Sequence, residues 1–339
     1  MDGRYGWALD HHVRDSVERE LVQVAEQTGI ESVWTMENHH LRDGVTTAAV
    51  TLERTQQLPV IMGCLSPYFR HPIEIGLTLA NLERMYPGRT GLNLGAGMQE
   101  TLRRIGIKDV DRPVGQLREA VDVIRLLFKG EKFAYEGERF QIERHHLTGD
   151  KLTTPPIYLS VMGPRLIRLA GEVCDGVNLP LAASPEYTAE SVERFEAGSA
   201  KGDRDRAEQT VVQEVLVQVG DDDDDITGVR RLLGFHYASE YFKKVVAPSG
   251  VDVKHDEIRD AFVKREMDRV DSLITDEMVD TFTAVGSVEK IVRRLKDYEA
   301  AGADMILLYT AGPEDARVRT IKALTEEIGR TERLQGAAQ

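Results

Sequence analysis

Short apolar runs alternate with amphipathic helical segments along almost all of the 339 residues of this chain. Runs of this length and composition indicate strands of a parallel sheet that is covered on both faces. They occupy residues 5–9, 32–35, 58–65, 91–94, 157–161, 176–179, 211–219 and 305–309. About eight strand–helix units result, which is the number that closes a parallel (β/α)8 TIM barrel. An open doubly wound sheet is the rival interpretation.

The helical segments carry ordinary start and stop signals. The segment 16–27 places its apolar residues on one face and is followed by Gly29, a residue typical of a left-handed helix stop. The segment 72–85 begins at Pro72 and is followed by Pro87-Gly88. Both patterns predict helices that cover a sheet.

Two stretches interrupt the alternation. Residues 130–156 predict a hairpin with strands at 132–135 and 139–142 around Glu136-Gly137-Glu138, and residues 221–281 predict a helical insertion. The latter begins with five aspartates, 221–225, which lack the alternating ligands and the glycine of a calcium loop and indicate a solvated helix start. Because a barrel needs about 250 residues, we predict one domain, 1–339, with both insertions over its C-terminal mouth.

The net charge and the cysteine content narrow the range of possible functions. Lys plus Arg number 43 against 57 Asp plus Glu, a net charge of −14, which disfavours binding to nucleic acid or to an anionic membrane surface. Only Cys64 and Cys174 are present, and no apolar run reaches the roughly 18 residues of a membrane helix. We expect a cytoplasmic protein whose partner is a small-molecule substrate.

Two glycine-containing segments follow predicted strands. Gly95-Ala96-Gly97 allows the backbone to approach a flat ligand closely, but Glu100 stands where a dinucleotide fingerprint needs its third glycine. Met162-Gly163-Pro164-Arg165 opens a helix whose N-terminus and arginine suit an anion. A tight strand–helix turn and an ordinary helix start are the alternatives.

Six of the nine histidines form adjacent pairs, at 11–12, 39–40 and 145–146. Adjacent residues on a strand point to opposite faces, so no pair has metal-site spacing and we predict no metal. Residues 10–12 and 38–40 follow predicted strands, where barrel enzymes collect functional side chains. Packing or capping roles for these residues, and a purely electrostatic role for Glu100 in a first helical turn, are the alternatives.

Taken together, the segments resemble the luciferase-like flavin and deazaflavin oxidoreductases over nearly the whole chain. The residues that carry the resemblance are SVWTMENHH at 32–40, GCLSPYFRHP at 63–72, YPGR at 86–89, GAG at 95–97, MGPR at 162–165, AGEVCDG at 170–176, VGS at 285–287 and AGAD at 301–304. The segment at 63–72 and Glu100 are most similar to the branch that uses coenzyme F420. That branch contains methylenetetrahydromethanopterin reductase and the F420-dependent glucose-6-phosphate and secondary alcohol dehydrogenases.

The resemblance implies a deazaflavin across the mouth of the barrel and assigns roles to individual residues. Gly63-Cys64 matches a non-proline cis peptide behind the ring, and His39 and Glu100 match a catalytic histidine and a proton-shuttling carboxylate. The remaining cofactor contacts that it implies are Asn38, Ser66, Gly95, Ala96, Gly97, and, at the phosphate end, Ser160, Met162, Gly163, Pro164 and Arg165.

The sequence departs from the sugar-phosphate branch, since Leu41-Arg42-Asp43 replaces the region of its tryptophan and no phosphate clamp is evident in 221–281. The leading hypothesis is therefore an F420-dependent oxidoreductase that transfers hydride to or from a small organic substrate of unassigned identity. The alternatives are an FMN-dependent monooxygenase served by a flavin reductase, and a non-catalytic flavin-binding protein. The resemblance also implies a homodimer.

Overall fold

The computed structural model describes residues 4–9, 13–38, 40–220 and 222–336. They fall into two compact units. The unit that carries most of the predicted site, called the site unit, consists of Ser32–Asn178 and Arg194–Thr210. The second unit takes the described residues of Met1–Glu31, Leu179–Glu193 and Val211–Gln339.

The strands follow the predicted positions to within one or two residues, except that β6 is shifted further and β10 was not predicted. They are β1 (Tyr5–Ala8), β2 (Ser32–Trp34), β3 (Val60–Leu65), β4 (Thr90–Leu94), β5 (Phe133–Glu136), β6 (Gln141–His145), β7 (Ile157–Ser160), β8 (Gly176–Leu179), β9 (Thr210–Val219), β10 (Ala284–Gly286) and β11 (Met305–Thr310).

The helices of the two units are α1 (Asp15–Glu26), α2 (Gly44–Arg54), α3 (Pro72–Met85), α4 (Gln99–Arg104), α5 (Pro113–Phe128), α6 (Pro164–Val173), α7 (Pro185–Lys201), α8 (Asp223–Tyr237), α9 (Lys243–Val246), α10 (His255–Lys264), α11 (Met267–Leu273), α12 (Asp276–Phe282), α13 (Val288–Ala300) and α14 (Glu314–Gly336). Short 3-10 turns occupy Arg206–Glu208, Glu240–Phe242 and Ala247–Ser249.

The large sheet has the order β10-β9-β11-β1-β2-β3-β4-β7-β8, and β8 also pairs with β9. Eight of these strands therefore form a closed parallel (β/α)8 barrel, and β10 is an additional short partner of β9. This confirms the predicted fold class and excludes the open sheet. Among the described helices none has both the length and the apolar composition that crossing a membrane requires.

The helix α3 begins and ends at the residues that the sequence signals predict. Pro72 occupies the first turn, and the His71 ring nitrogen Nδ1 accepts a hydrogen bond of 3.2 Å from the Ile73 amide at the N-cap. The chain then turns through Gly88 at φ 73°, where the Glu83 carboxylate accepts the Gly88 amide at 2.8 Å. These contacts fix both ends of the helix that follows β3.

The hairpin is present, but its second strand begins later than predicted, at Gln141 instead of residue 139. Its turn is longer because the Glu119 carboxylate on α5 accepts three successive backbone amides, from Glu138, Arg139 and Phe140, at 2.8–3.0 Å. Phe140 is buried against the α5 helix. One charged side chain thus determines the shape of the turn.

The second insertion is helical as predicted, and comprises α8 to α12 with two 3-10 turns. The interpretation of its aspartates as entirely solvated is wrong for Asp225. Asp222 caps α8 by accepting the Asp225 amide at 2.9 Å, whereas the Asp225 side chain is buried and lies 2.5 Å from Arg319 Nη2 on α14. Three positions after the cap, the residue faces the neighbouring helix instead of water. Residue 221 lies outside the described residues.

Candidate active site

The carboxyl end of β3 departs from regular pairing. Its register with β4 shifts between Met62 and Leu65, and the Gly63–Cys64 peptide bond is cis, as the resemblance implied. The Gly63 amide donates to Thr35 Oγ1 at 3.3 Å. A Cβ on Gly63 would lie 2.7 Å from the Asn93 Cβ, so only glycine fits against β4 here.

The next strand, β4, ends in the glycine segment at the same level. Gly95 is buried, and a Cβ on it would overlap the Cys64 sulfur and lie 3.1 Å from the Ser160 carbonyl oxygen. Gly97 has φ 72° and is exposed. The ends of β3, β4 and β7 therefore approach closely. The Cys64 thiol fills the space that a side chain on Gly95 would take, and the glycines contribute only backbone to this surface.

Ser66 joins the ends of β3 and β4. Its hydroxyl donates to the Ala96 carbonyl at 3.1 Å and accepts the Tyr68 amide at 3.3 Å, while the Gly95 amide donates to the Leu65 carbonyl at 3.0 Å. Because Ser66 is buried and already bonded on both sides, its first role is to hold the glycine segment against β3.

Asn93 was not singled out from the sequence. It is 1% exposed, and neither its amide oxygen nor its amide nitrogen has a hydrogen-bond partner among the described residues. Asn178 on β8 is equally buried and donates to Ser160 Oγ at 3.4 Å. An unpaired buried amide costs about 1–3 kcal/mol, and the described residues supply no partner for Asn93 that would offset this cost. A polar residue within the apolar run Leu92-Asn93-Leu94 is the signal that could have found it.

The segment after β2 forms a tight turn around Asn38. The Asn38 amide donates to the Arg42 carbonyl at 2.9 Å, and the Asn38 side-chain oxygen accepts the His40 amide at 3.0 Å. The candidate catalytic residue His39 lies outside the described residues. The turn brings Asn38 to the same end of the barrel strands as Ser66 and Gly95.

Arg70, also missed by sequence reasoning, ties this turn to the segment after β3. Its Nη2 lies 3.3 Å from Glu37 Oε1 and contacts the Asp43 carboxylate. Glu37 Oε2 also accepts the Gly44 amide at 2.6 Å. Partial burial opposes the charge of Arg70, but the two carboxylates outweigh it and raise the pKa of the guanidinium. The group Glu37–Asp43–Arg70 is called the Arg70 cluster.

Glu100 and Arg165, both predicted to act in the site, are exposed. Glu100 lies in the first turn of α4, where its side chain is 72% exposed and 2.5 Å from Arg104 Nη2. Arg165 lies in the first turn of α6, after Gly163 as N-cap and Pro164 as the first helical residue. Met162 is half-buried beside them. Among the residues that the structure describes, no group of acidic, histidine or cysteine side chains is arranged to hold a metal ion.

A cleft of about 590 Å3 opens beside Asn38 between the segments that follow β2, β3 and β4. We call it the loop cleft, and it is lined by Glu37, Asn38, His40, Leu41, Arg42, Asp43, Phe69, Arg70 and Ile105. All of these residues belong to the site unit. The candidate site thus combines a backbone surface, a buried amide and an adjoining cavity.

This arrangement, at the carboxyl ends of barrel strands, is where (β/α)8 enzymes hold ligands. The luciferase-like monooxygenase family matches residues 12–305, and the chain belongs to that family. The 5,10-methylenetetrahydromethanopterin reductase of Archaeoglobus fulgidus is 27% identical over 313 residues, which cover 91% of this chain and 93% of that enzyme.

Two solved structures share the fold. The coenzyme F420-dependent tetrahydromethanopterin reductase of Methanopyrus kandleri superposes with a TM-score of 0.79 at 21% identity, covering 95% of this chain and 97% of that chain. An F420-dependent secondary alcohol dehydrogenase, solved with an F420-acetone adduct, gives a TM-score of 0.78 at 22% identity, covering 96% and 99%. The relatives support an oxidoreductase.

Proposed function

We propose that this protein is an F420-dependent oxidoreductase that transfers a hydride between the deazaflavin and a small organic substrate. The observation that carries the proposal is the close approach of β3 and β4, where Gly63 packs on Asn93 and Cys64 packs on Gly95. The Asn93 amide beside this contact has no partner among the described residues. A surface built mainly from glycine backbone suits a flat ring, and an amide side chain can bond to the polar edge of such a ring. The residues present therefore fit a deazaflavin.

The protein would hold the cofactor by two kinds of contact. Gly63, Cys64, Gly95, Ala96 and Gly97 would support the ring, with Asn38 and Ser66 at its edge. Ser160 and residues 162–165 would bind the phosphate end, because a helix N-terminus and a neighbouring arginine both favour an anion. Since the chain has a net charge of −14, these local groups must attract the anionic cofactor against the overall field.

When bound, F420 supplies or accepts the hydride at its deazaflavin ring. The contribution of the chain is placement, exclusion of water and movement of a proton. Histidine is the residue type that most often transfers protons in enzymes, and His39 is our candidate for the proton-transferring side chain. Glu100 is exposed, so we propose that it exchanges protons between the site and water.

The proposal is tested by titrating the purified protein with F420 and, separately, with FMN. We expect saturable binding of F420 when the titration is monitored by fluorescence. The affinity for F420 should be at least tenfold higher than the affinity for FMN. Arg165→Glu should weaken F420 binding about tenfold. Arg293→Glu, an equal charge change at an exposed position of the second unit, should leave binding unchanged.

Preference for FMN would instead support a monooxygenase that receives reduced flavin from a partner reductase. Tight F420 binding without turnover of any carbonyl or imine compound, in wild type as in His39→Ala, would support a non-catalytic binding protein. Absence of saturable binding of either cofactor would overturn the proposal.

A further inference from the structure

The loop cleft has the size of a small-molecule site, since such sites typically enclose about 300–1,000 Å3. It is formed by three consecutive strand–helix segments and includes Asn38, a residue of the proposed cofactor site. A molecule held there would lie beside the proposed ring position. The chemistry of the lining therefore bears on the substrate.

The charges that line the loop cleft cancel. The lining contains two arginines, Arg42 and Arg70, and two carboxylates, Glu37 and Asp43. Arg70 is bonded to both carboxylates, and its side chain is only 20% exposed. A phosphate or carboxylate that entered would have to compete with these internal carboxylates for Arg70.

Apart from Asn38 and His40, the uncharged residues of the lining are apolar and open to solvent. Leu41 is 53% exposed, Phe69 46% and Ile105 44%, and each comes from a different one of the three segments. The Arg70 guanidinium carbon lies 5.8 Å from the centre of the Phe69 ring. Three apolar side chains that converge on one cavity favour an apolar group of a ligand, because their burial removes hydrocarbon surface from water.

We propose that the loop cleft binds an uncharged alkyl or aryl substituent of the substrate, next to the carbonyl carbon that is reduced, and excludes phosphate and carboxylate groups. This inference rests on the proposed function. In the reaction, the carbonyl carbon gains a hydride, with its two electrons, from the reduced deazaflavin. The carbonyl π electrons move to oxygen, which takes a proton from water by way of the protein. The products are an alcohol and the oxidised deazaflavin. The cofactor would release one proton to water on oxidation, so no net proton is consumed.

The exclusion of anions follows from desolvation. An anionic group in the cleft would lose water beside Glu37 and Asp43, and these two carboxylates already offset the charge of Arg70. A neutral group of the same shape has no such cost. Selectivity should therefore depend on charge more than on size.

The test uses two ketones of similar shape, 5-methyl-2-hexanone and 4-oxopentanoate, in which a neutral isopropyl group replaces a carboxylate. Their affinities for the full-length protein are measured by ligand-observed NMR, and kcat/KM is measured with reduced F420. We expect at least a tenfold preference for the neutral ketone in both measurements. Leu41→Lys and Ile105→Lys should each reduce that preference about tenfold.

Val263→Lys is the matched control, because Val263 is 77% exposed and belongs to the second unit. It should retain the wild-type preference, and circular dichroism should show that all three variants are folded. All three positions are exposed, so the added lysine can remain in water.

Equal or stronger binding of 4-oxopentanoate, or no binding of either ketone, would overturn the inference. A preference that is unchanged in both cleft variants would do the same. If Leu41→Lys converted an oligomer into a smaller species in solution, the cleft would instead be covered by a second copy of the chain. If F420 does not bind, the proposed function fails, while the NMR comparison still tests the cleft.

Discussion

Gly63 packs directly against Asn93, so a Cβ on Gly63 would overlap the Asn93 carbonyl oxygen and lie 2.7 Å from the Asn93 Cβ. The two residues lie on neighbouring strands, β3 and β4, at the end of the barrel where the proposed cofactor site lies. Their contact joins the backbone surface to the unpaired amide.

Gly63→Ala should lower the free energy of unfolding by about 1–3 kcal/mol, as overpacking of a core does. Gly115→Ala is the control, because a Cβ on Gly115, within α5, would meet no atom within 4 Å. That change should stabilise the protein by up to about 1 kcal/mol. Urea denaturation measures both. Equal stability of Gly63→Ala and wild type would contradict the proposed overlap.

Asn93→Leu should change stability and cofactor affinity in opposite directions. Removing an unpaired buried amide should raise the free energy of unfolding without cofactor by about 1 kcal/mol. If the amide bonds to F420, the dissociation constant should rise about tenfold. Asn178→Leu is the comparison, since it breaks a bond to Ser160 and should destabilise the protein. An Asn93 variant that is more stable and binds F420 normally would rule out the contact.

The two cysteines should react differently with a thiol reagent. Burial raises the pKa of the Cys174 thiol, which is fully inaccessible, whereas Cys64 is half-buried beside Gly95. We expect iodoacetamide at pH 8 to label Cys64 alone and bound F420 to protect it. Mass spectrometry identifies the site, and Cys64→Ser should abolish labelling. Modification of Cys174 in the native protein would be inconsistent with its burial.

Loss of Arg70 should loosen the segment that carries Asn38. Arg70→Met should raise the dissociation constant for F420 about tenfold, and Glu37→Gln should add little to that change because both belong to one cluster. A double-mutant cycle on stability should give a coupling of about 1 kcal/mol or more. The exposed pair Asp260–Lys264, 2.9 Å apart, should couple by about 0.5 kcal/mol or less. Additive effects at positions 37 and 70 would argue against a shared cluster.

The ion pairs of Glu172 predict how the stability of the protein depends on pH. Its carboxylate lies 2.8 Å from Lys201 Nζ and 2.8 Å from Arg118 Nη2, and these contacts lower its pKa in the folded protein. A lowered carboxyl pKa contributes stability above the unfolded value of about 4.3, and the contribution is lost as pH falls through the folded value. Glu172→Gln should cost about 1 kcal/mol at pH 7. Denaturation curves at several pH values should show the gap closing as pH falls below the unfolded value and through the folded one; a constant gap would exclude the linkage.

Much of the fold was predictable because alternating apolar runs, Pro72 and Gly88 each report a local conformation. The late start of β6 was not predictable, since it depends on Glu119, a residue on another element that binds the turn. The burial of Asp225 likewise depends on Arg319, 94 positions further along the chain. Local patterns do not contain such distant partners.

The same distinction applies to the candidate site. Gly95 and Gly97 were identified because close backbone approach leaves a signal in the residue type, whereas Gly63 was assigned only through the family resemblance of its segment. Asn93 and Arg70 were missed because their significance lies in what surrounds them, namely an unpaired amide and a three-residue ion cluster. The roles of His39 and Glu100 remain predictions.

All proposed cofactor contacts, from Asn38 to Arg165, lie within one unbroken stretch of the site unit. Such a stretch can be inherited as a block. A single genetic exchange with junctions outside residues 38–165 would move all the proposed cofactor contacts into a related chain. That chain would keep its own segment in place of the helical insertion at 221–281. Within the same block, residues 41, 69 and 105 could diverge by point substitution without altering the glycine surface. With the proposed roles of these residues, the placement of the site would allow cofactor use and substrate choice to evolve at different rates.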